Sequence, residues 1–205
     1  MPSRLDQPRP IAVRTDEPLG RRAHFTRHQQ ALFISCTDAR LVATRLTGIA
    51  PERLFELRNM GNIVPRYRTD VISSEIAAIQ HVLREPSVRD VVLCGHSRCT
   101  AVACLLNRHT ASVRPAMRRW LAIGRSKVAC DTAAGRLAAG PLNEVAWDRA
   151  SRAHLVTQLT HLSEYPEVRH RRAAGELRLH AWFYTAKGTV EVYRLREEME
   201  AQALV

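Results

Sequence analysis

Short apolar runs alternate with amphipathic and polar stretches along the chain, and this pattern predicts an α/β protein. Segment 31–35 is a short apolar run, which is typical of a strand buried on both faces of a sheet, and 54–57 and 91–94 are two further strand candidates. Between the last two segments, Ser73 or Ser74 can cap a helix whose apolar stripe has helical spacing. That stripe consists of Ile76, Ile79, Val82 and Leu83. Strand, helix and strand in this order favour a parallel sheet with right-handed crossovers.

The remaining pattern completes this prediction. Helices are expected at 101–106, 114–123, 148–164 and 196–204, a loop at 135–141, and strands at 177–183 and 189–193. Lys187-Gly188 between the last two strands is a hairpin signal. We therefore expect a central, mostly parallel sheet of about four parallel strands plus an antiparallel edge strand, with helices on both faces. Residues 1–28, rich in proline and arginine, are predicted to be an N-terminal arm, and 29–205 to form the domain.

Charge and hydropathy change this picture only slightly. The formal net charge is +11, which invites a nucleic-acid interpretation. However, all basic residues except Lys127 and Lys187 are arginines scattered through the predicted elements, and the few aromatics do not interleave with a basic run. Specific nucleic-acid binding is therefore not expected. No apolar run is long enough to span a membrane, and the first residues lack a secretory signal, so we expect a cytoplasmic protein.

The five cysteines point to metal binding or simple burial. They are Cys36, Cys94, Cys99, Cys104 and Cys130. An odd number of cysteines in a cytoplasmic chain of this size argues against a disulfide framework. Cys94 lies within a predicted strand and is expected to pack in the core, whereas Cys104 and Cys130 show no pattern that suggests a partner.

Two segments combine metal-ligating residues with predicted strand ends. Cys36 follows the first strand, and His96 and Cys99 follow the third. Functional groups in open α/β sheets collect beyond the carboxyl ends of the strands. Two thiolates and one imidazole suit zinc and leave its fourth position open. By spacing alone the alternative stays open that His96 is structural and the cysteines are small buried apolar residues.

The complete set of motifs resembles the β-class carbonic anhydrases. It comprises Cys-x-Asp-x-Arg at 36–40, Arg-Asn-Met-Gly-Asn-Ile-Val-Pro at 58–65, Cys-Gly-His-Ser-Arg-Cys at 94–99 and the tail 177–193. The resemblance extends from about Ala31 to Tyr193. It implies a Zn²⁺ cofactor held by Cys36, His96 and Cys99, and hydration of carbon dioxide to bicarbonate through zinc-bound hydroxide. It also implies a homodimer or higher homo-oligomer with the active site at the subunit interface.

The same resemblance assigns roles to further residues. Asp38 matches a catalytic carboxylate that accepts a hydrogen bond from zinc-bound water, and Arg40 matches the guanidinium that holds it. In some family members this pair breaks and the aspartate takes the fourth zinc position. Phe55, Met60 and His81 match the substrate cleft. His81 either narrows the pocket, serves as a proton shuttle, or is a tolerated polar ring at a dimer interface.

Several positions depart from the family pattern and leave alternatives open. Thr100 replaces a glycine beside the metal, and Ala39 replaces a serine. A glutamine expected before the first strand is not cleanly matched, and Phe33 replaces a tryptophan found in bicarbonate-regulated members. One alternative is therefore hydrolysis of carbonyl sulfide or carbon disulfide at the same zinc site. Another is a zinc-binding scaffold that has lost turnover.

Overall fold

Six strands form one sheet in the computed structural model, which describes residues 12–15, 30–39, 41–70, 73–106, 113–134 and 143–195. The strands are β1 (Ala12–Thr15), β2 (Gln30–Cys36), β3 (Leu54–Asn59), β4 (Val88–His96), β5 (Arg178–Tyr184) and β6 (Val190–Leu195). Their order across the sheet is β1-β6-β5-β4-β2-β3. Strands β3, β2, β4 and β5 run parallel to one another, and β6 runs antiparallel to β5. The predicted fold class is therefore confirmed.

One detail of the predicted sheet differs. The antiparallel strand β6 is not an edge strand, because β1 pairs with its other side, also in antiparallel orientation. This pairing satisfies backbone N–H and C=O groups that an edge strand would leave open. Strand β1 comes from the segment predicted to be an arm, and the sequence analysis did not predict it. The arm boundary at residue 28 stays a prediction.

Seven α-helices are found in the described ranges. They are α1 (Ala43–Thr47), α2 (Ser74–Leu83), α3 (Thr100–Leu106), α4 (Pro115–Ile123), α5 (Lys127–Ala133), α6 (Glu144–Ser163) and α7 (Pro166–Ala173). Ser73 caps α2 by accepting a hydrogen bond from the Ile76 amide, as predicted. Helix α6 begins earlier than predicted, because the Asn143 side chain caps it through the Ala146 amide. The predicted loop at 135–141 and helix at 196–204 lie outside the described residues.

Helices cover both faces of the sheet, and each face has its own apolar core. On one face, Leu32 and Ile34 of β2 pack with the inner sides of α2, α7 and the second half of α6. On the other face, Phe33 and Cys36 pack with α3, α4, α5 and the first half of α6. None of the helices in the described ranges is long and apolar enough to cross a membrane.

The sheet register brings the ends of β2 and β4 together. Ser35 lies opposite Cys94, so the two parallel strands end at the same edge, with Cys36 on one and His96 on the other. The period of two along β4 places Val92, Cys94 and His96 on one face. This is the face covered by α3, α4 and α5, and the candidate site lies there.

Candidate metal centre

Three buried side chains converge where β2 and β4 end. Cys36 is the last residue of β2, His96 is the last of β4, and Cys99 lies directly before α3. Their ligating atoms all lie within 4.8 Å of one another, and the two sulfur atoms are 3.9 Å apart. No other group of at least three His, Cys, Asp or Glu side chains in the described ranges is arranged in this way. The side chains that the sequence analysis selected as zinc ligands thus lie together.

The Cys36 sulfur atom lies in an environment that favours the thiolate. It accepts hydrogen bonds from the backbone amides of Gly61, at 3.1 Å, and Asp38, at 3.4 Å. The Cys99 thiol, followed by His96 and these amides, lowers the pKa of Cys36 to about 4 against the effect of burial. The pKa of Cys99 is raised, first by its hydrogen bond with Cys36 and then by burial. One thiolate beside one thiol is a preformed donor pair for a divalent cation, which displaces the remaining proton on binding.

His96 presents one ring nitrogen to this pair. Its Nδ1 lies 2.9 Å from the Ser97 carbonyl oxygen, so an Nδ1–H donor leaves the lone pair on Nε2. Nε2 is buried and has no hydrogen-bonding partner in the described part of the chain. A buried nitrogen without a partner is costly unless another group satisfies it. A metal ion between this nitrogen and the two sulfur atoms would supply that partner, so the donor set fits zinc.

The first half of α6 fixes the turn that carries Cys99. Asp148 accepts hydrogen bonds from the Ser97 hydroxyl at 2.9 Å and from the Arg98 amide at 3.1 Å. Trp147 donates its indole N–H to the Cys99 carbonyl oxygen at 2.9 Å. Arg98 has a φ of +55°, a left-handed conformation that these contacts help to hold. The sequence analysis did not identify either α6 residue, because their connection to residues 97–99 is long-range.

The second half of α6 holds the loop that follows β3. The buried His154 ring lies 2.6 Å from both the Gly61 carbonyl oxygen and the Ser126 hydroxyl. Burial lowers the pKa of His154 to about 4, so the ring is neutral. Further along the helix, the Gln158 side chain accepts a hydrogen bond from the Val64 amide at 3.0 Å. His154 and Gln158 of α6 therefore help to hold the loop that contains Gly61, whose amide contacts Cys36.

Asp38 lies next to the cluster but outside the group of three. Its side chain is exposed, and Oδ2 accepts hydrogen bonds from the Thr100 amide at 3.0 Å and the Thr100 hydroxyl at 2.7 Å. Arg40, its predicted partner, lies outside the described residues. Arg58 donates to the carbonyl oxygens of Ala39 and Leu41, both at 3.2 Å. Arg58 thus supports the backbone on either side of residue 40.

The three predicted cleft residues do not lie together within one chain. Met60 packs in the core that contains Cys36, and its carbonyl oxygen accepts the Trp120 indole N–H at 2.7 Å. Phe55 packs against the core on the opposite face of the sheet, and His81 is exposed on α2. A cleft formed by all three therefore requires a second subunit, and their assignment stays a prediction.

The other cysteines behave as core residues or stand apart. Cys94 is fully buried, and burial raises the pKa of its thiol to about 12. Burial is also the main cause that raises the pKa of Cys130 to about 12. Cys104 is partly exposed, and all five cysteines are free of disulfides. Cys94 faces the same side as His96 but is not part of the candidate metal-ligating group.

Fold and site together define a class of protein: a helix-covered α/β sheet with a buried Cys–His–Cys group at its carboxyl edge. A model of the carbonic anhydrase family matches residues 31–190. The carbonic anhydrase of Pseudomonas aeruginosa is 33% identical over 161 residues, which are 76% of this chain and 68% of that protein. Carbonic anhydrase 1 of Escherichia coli O157:H7 is 32% identical over 157 residues, with the same shares covered.

Solved structures agree with these sequence matches. The β-carbonic anhydrase CcaA has a TM-score of 0.70 and 30% identity, covering 80% of this chain and 72% of that one. One of two tetrameric β-carbonic anhydrases from Sordaria macrospora has a TM-score of 0.67 and 25% identity, covering 80% of each chain. The chain belongs to the β-class carbonic anhydrase family. The general activity of this family is hydration of carbon dioxide, and the prediction of a carbonic anhydrase, a lyase, is confirmed.

Proposed function

We propose that the protein uses zinc, held by Cys36, His96 and Cys99, to interconvert carbon dioxide and bicarbonate. The observation that supports this most strongly is the unpartnered, buried Nε2 of His96 beside two sulfur atoms. When bound to such a site, zinc is a Lewis acid that lowers the pKa of water towards neutrality. Three protein ligands are typical of a catalytic zinc site, since a closed structural site uses four.

The surrounding residues hold this ligand set and the reacting solvent in place. The Gly61 amide orients the Cys36 sulfur, and the Ser97 carbonyl orients the His96 ring. Asp38 accepts a hydrogen bond from the attacking solvent molecule. This bond keeps a lone pair of the solvent oxygen directed at the substrate carbon. For Arg40 we propose the role that the family resemblance implies, a charge-assisted hydrogen bond to Asp38.

The substrate side of the site is completed by apolar and aromatic groups. Carbon dioxide offers little to hydrogen-bond, so Phe55 and Met60 suit it as walls. Because Phe55 and His81 lie away from Met60 within one chain, we propose that a second subunit contributes them. The protein is then a homodimer or a higher homo-oligomer. We also propose that it acts in the cytoplasm on a small-molecule substrate and binds neither a membrane nor a specific nucleic acid.

Stopped-flow carbon dioxide hydration with parallel zinc analysis tests this function. Asp38→Ala should lower kcat/KM by about 10²–10⁴ while one zinc per chain is retained, because Asp38 acts on the solvent without being a ligand. Asp131→Ala is the matched control, since in the described part of the chain this carboxylate forms an exposed pair with Lys127. Zinc-loaded wild type that shows no hydration between pH 7 and 9 would contradict the proposal. If sulfide release from carbonyl sulfide is much faster than bicarbonate formation from carbon dioxide, carbonyl sulfide is the preferred substrate.

A further inference from the structure

This chain departs from the family pattern at several positions. Of these, Thr100 lies closest to the candidate metal-ligating group. It is the residue after Cys99 and the first residue of α3. Its hydroxyl donates to Asp38 Oδ2 at 2.7 Å, and its amide donates to the same oxygen at 3.0 Å. A glycine here would supply only the amide. The side chain therefore adds a second, charge-assisted donor to one carboxylate oxygen.

The Asp38 carboxylate is tethered close to the ligands. Asp38 is two residues after Cys36, and its own amide donates to the Cys36 sulfur at 3.4 Å. A carboxylate can itself be a zinc ligand. A carboxylate only two residues from Cys36 therefore competes for an open coordination position. In the structure Asp38 does not belong to the ligating group, and Oδ2 is turned to Thr100 instead.

We propose that the Thr100 hydroxyl is a positioning group that keeps Asp38 out of the metal coordination sphere. This inference rests on the zinc site of the proposed function. Threonine suits the role because its branched Cβ restricts χ1, so the hydroxyl samples few directions. For Asp38 to become a ligand through Oδ2, both hydrogen bonds to Thr100 must break. The fourth coordination position of the metal is thereby kept available to a solvent molecule. The Asp38 carboxylate is held where it can accept a hydrogen bond from that solvent molecule.

Anion binding to the cobalt-substituted protein tests this without reference to turnover. Thiocyanate titration, followed by the visible absorption of Co²⁺, reports how readily an external ligand takes the fourth position. Thr100→Val removes the hydroxyl but keeps the amide and the branched shape, so Asp38 competes and the apparent Kd for thiocyanate should rise about tenfold. Thr100→Ser retains the hydroxyl and should restore the wild-type Kd. Thr100→Ala replaces the valine variant if that protein does not fold.

A double-mutant cycle separates this role from a general structural one. In the Asp38→Ala background no carboxylate competes, so Thr100→Val should leave the thiocyanate Kd unchanged. An unchanged Kd in Thr100→Val alone would overturn the proposal, as would an equal rise in both backgrounds. The cycle is also independent of the proposed activity. A wild-type protein that binds cobalt and shows the coupling, but does not hydrate carbon dioxide, would retain the positioning role and lose only the proposed function.

Discussion

Gly61 links Cys36 of the candidate metal centre to helix α6, which supports the site, so its replacement by alanine is a sensitive test of this architecture. Its amide donates to Cys36, and its carbonyl oxygen accepts from His154. The residue has a φ of +84°, which side chains other than glycine rarely adopt. An added Cβ would lie 3.0 Å from the Ala101 Cβ. The substitution therefore introduces both backbone strain and a steric overlap.

The two effects can be separated because Gly48 provides a matched control. Gly48 has a φ of +70°, and an added Cβ there has no atom within 4 Å. Gly48→Ala should therefore carry only the conformational cost, about 1 kcal/mol. Gly61→Ala adds an overpacking cost of about 2 kcal/mol, giving about 3 kcal/mol in total. In a chain of this size these values correspond to Tm decreases of about 2–4 °C and about 6–12 °C.

Scanning calorimetry of the zinc-loaded proteins measures both decreases. The protomer concentration must be equal in all samples, because the stability of an oligomer depends on it. Gly61→Ala should also retain less than one zinc per chain, since the displaced amide no longer stabilises the Cys36 thiolate. Equal Tm decreases for the two variants would refute the argument that the loop after β3 is tightly packed against α3.

Two further predictions concern buried ionisable groups. Asp90 is fully buried and accepts 2.8 Å hydrogen bonds from Arg178 and one of 2.7 Å from His180. Asp90→Asn should therefore lower the free energy of unfolding by about 2–3 kcal/mol in urea denaturation, whereas Asp70→Asn in an exposed pair should barely change it. His154 has its pKa lowered by burial from 6.5 to about 4, so its contribution to stability is complete above pH 6.5 and is lost as the pH falls towards 4. The stability difference between wild type and His154→Gln should consequently narrow from pH 7 to pH 5, and an unchanged difference would contradict a buried neutral ring.

The sheet was predictable because its signals are local. The run at 31–35 is apolar except for Ser35, and the run at 91–94 is apolar throughout. The helix between 74 and 83 has a clear apolar stripe and a serine cap. Helices α1, α5 and α7 were missed, since each is short and is held mainly by tertiary packing. Strand β1 was missed because its four residues carry no alternating pattern and it forms by pairing with β6.

In the candidate site, too, local features could be predicted from the sequence and long-range contacts could not. Residue type and position near strand ends made Cys36, His96 and Cys99 candidate ligands, and the resemblance to the β-class carbonic anhydrases assigned them to zinc. The supporting residues Asp148 and His154 were not identified, because they reach the site from α6 across about fifty or more positions of the chain. The hydrogen bonds between Thr100 and Asp38 were also not predicted. The sequence analysis identified Thr100 only as an unusual side chain beside the metal.

The central claim is that three side chains from separate parts of the fold bind one zinc ion. Elemental analysis of purified protein by inductively coupled plasma mass spectrometry measures this directly. We expect one zinc per chain in the wild type and in Cys104→Ser, because the partly exposed Cys104 thiol lies outside the candidate metal-ligating group. We expect loss of stoichiometric zinc in Cys36→Ser and in His96→Ala. A wild-type protein without stoichiometric zinc, or undiminished zinc in both ligand variants, would contradict it.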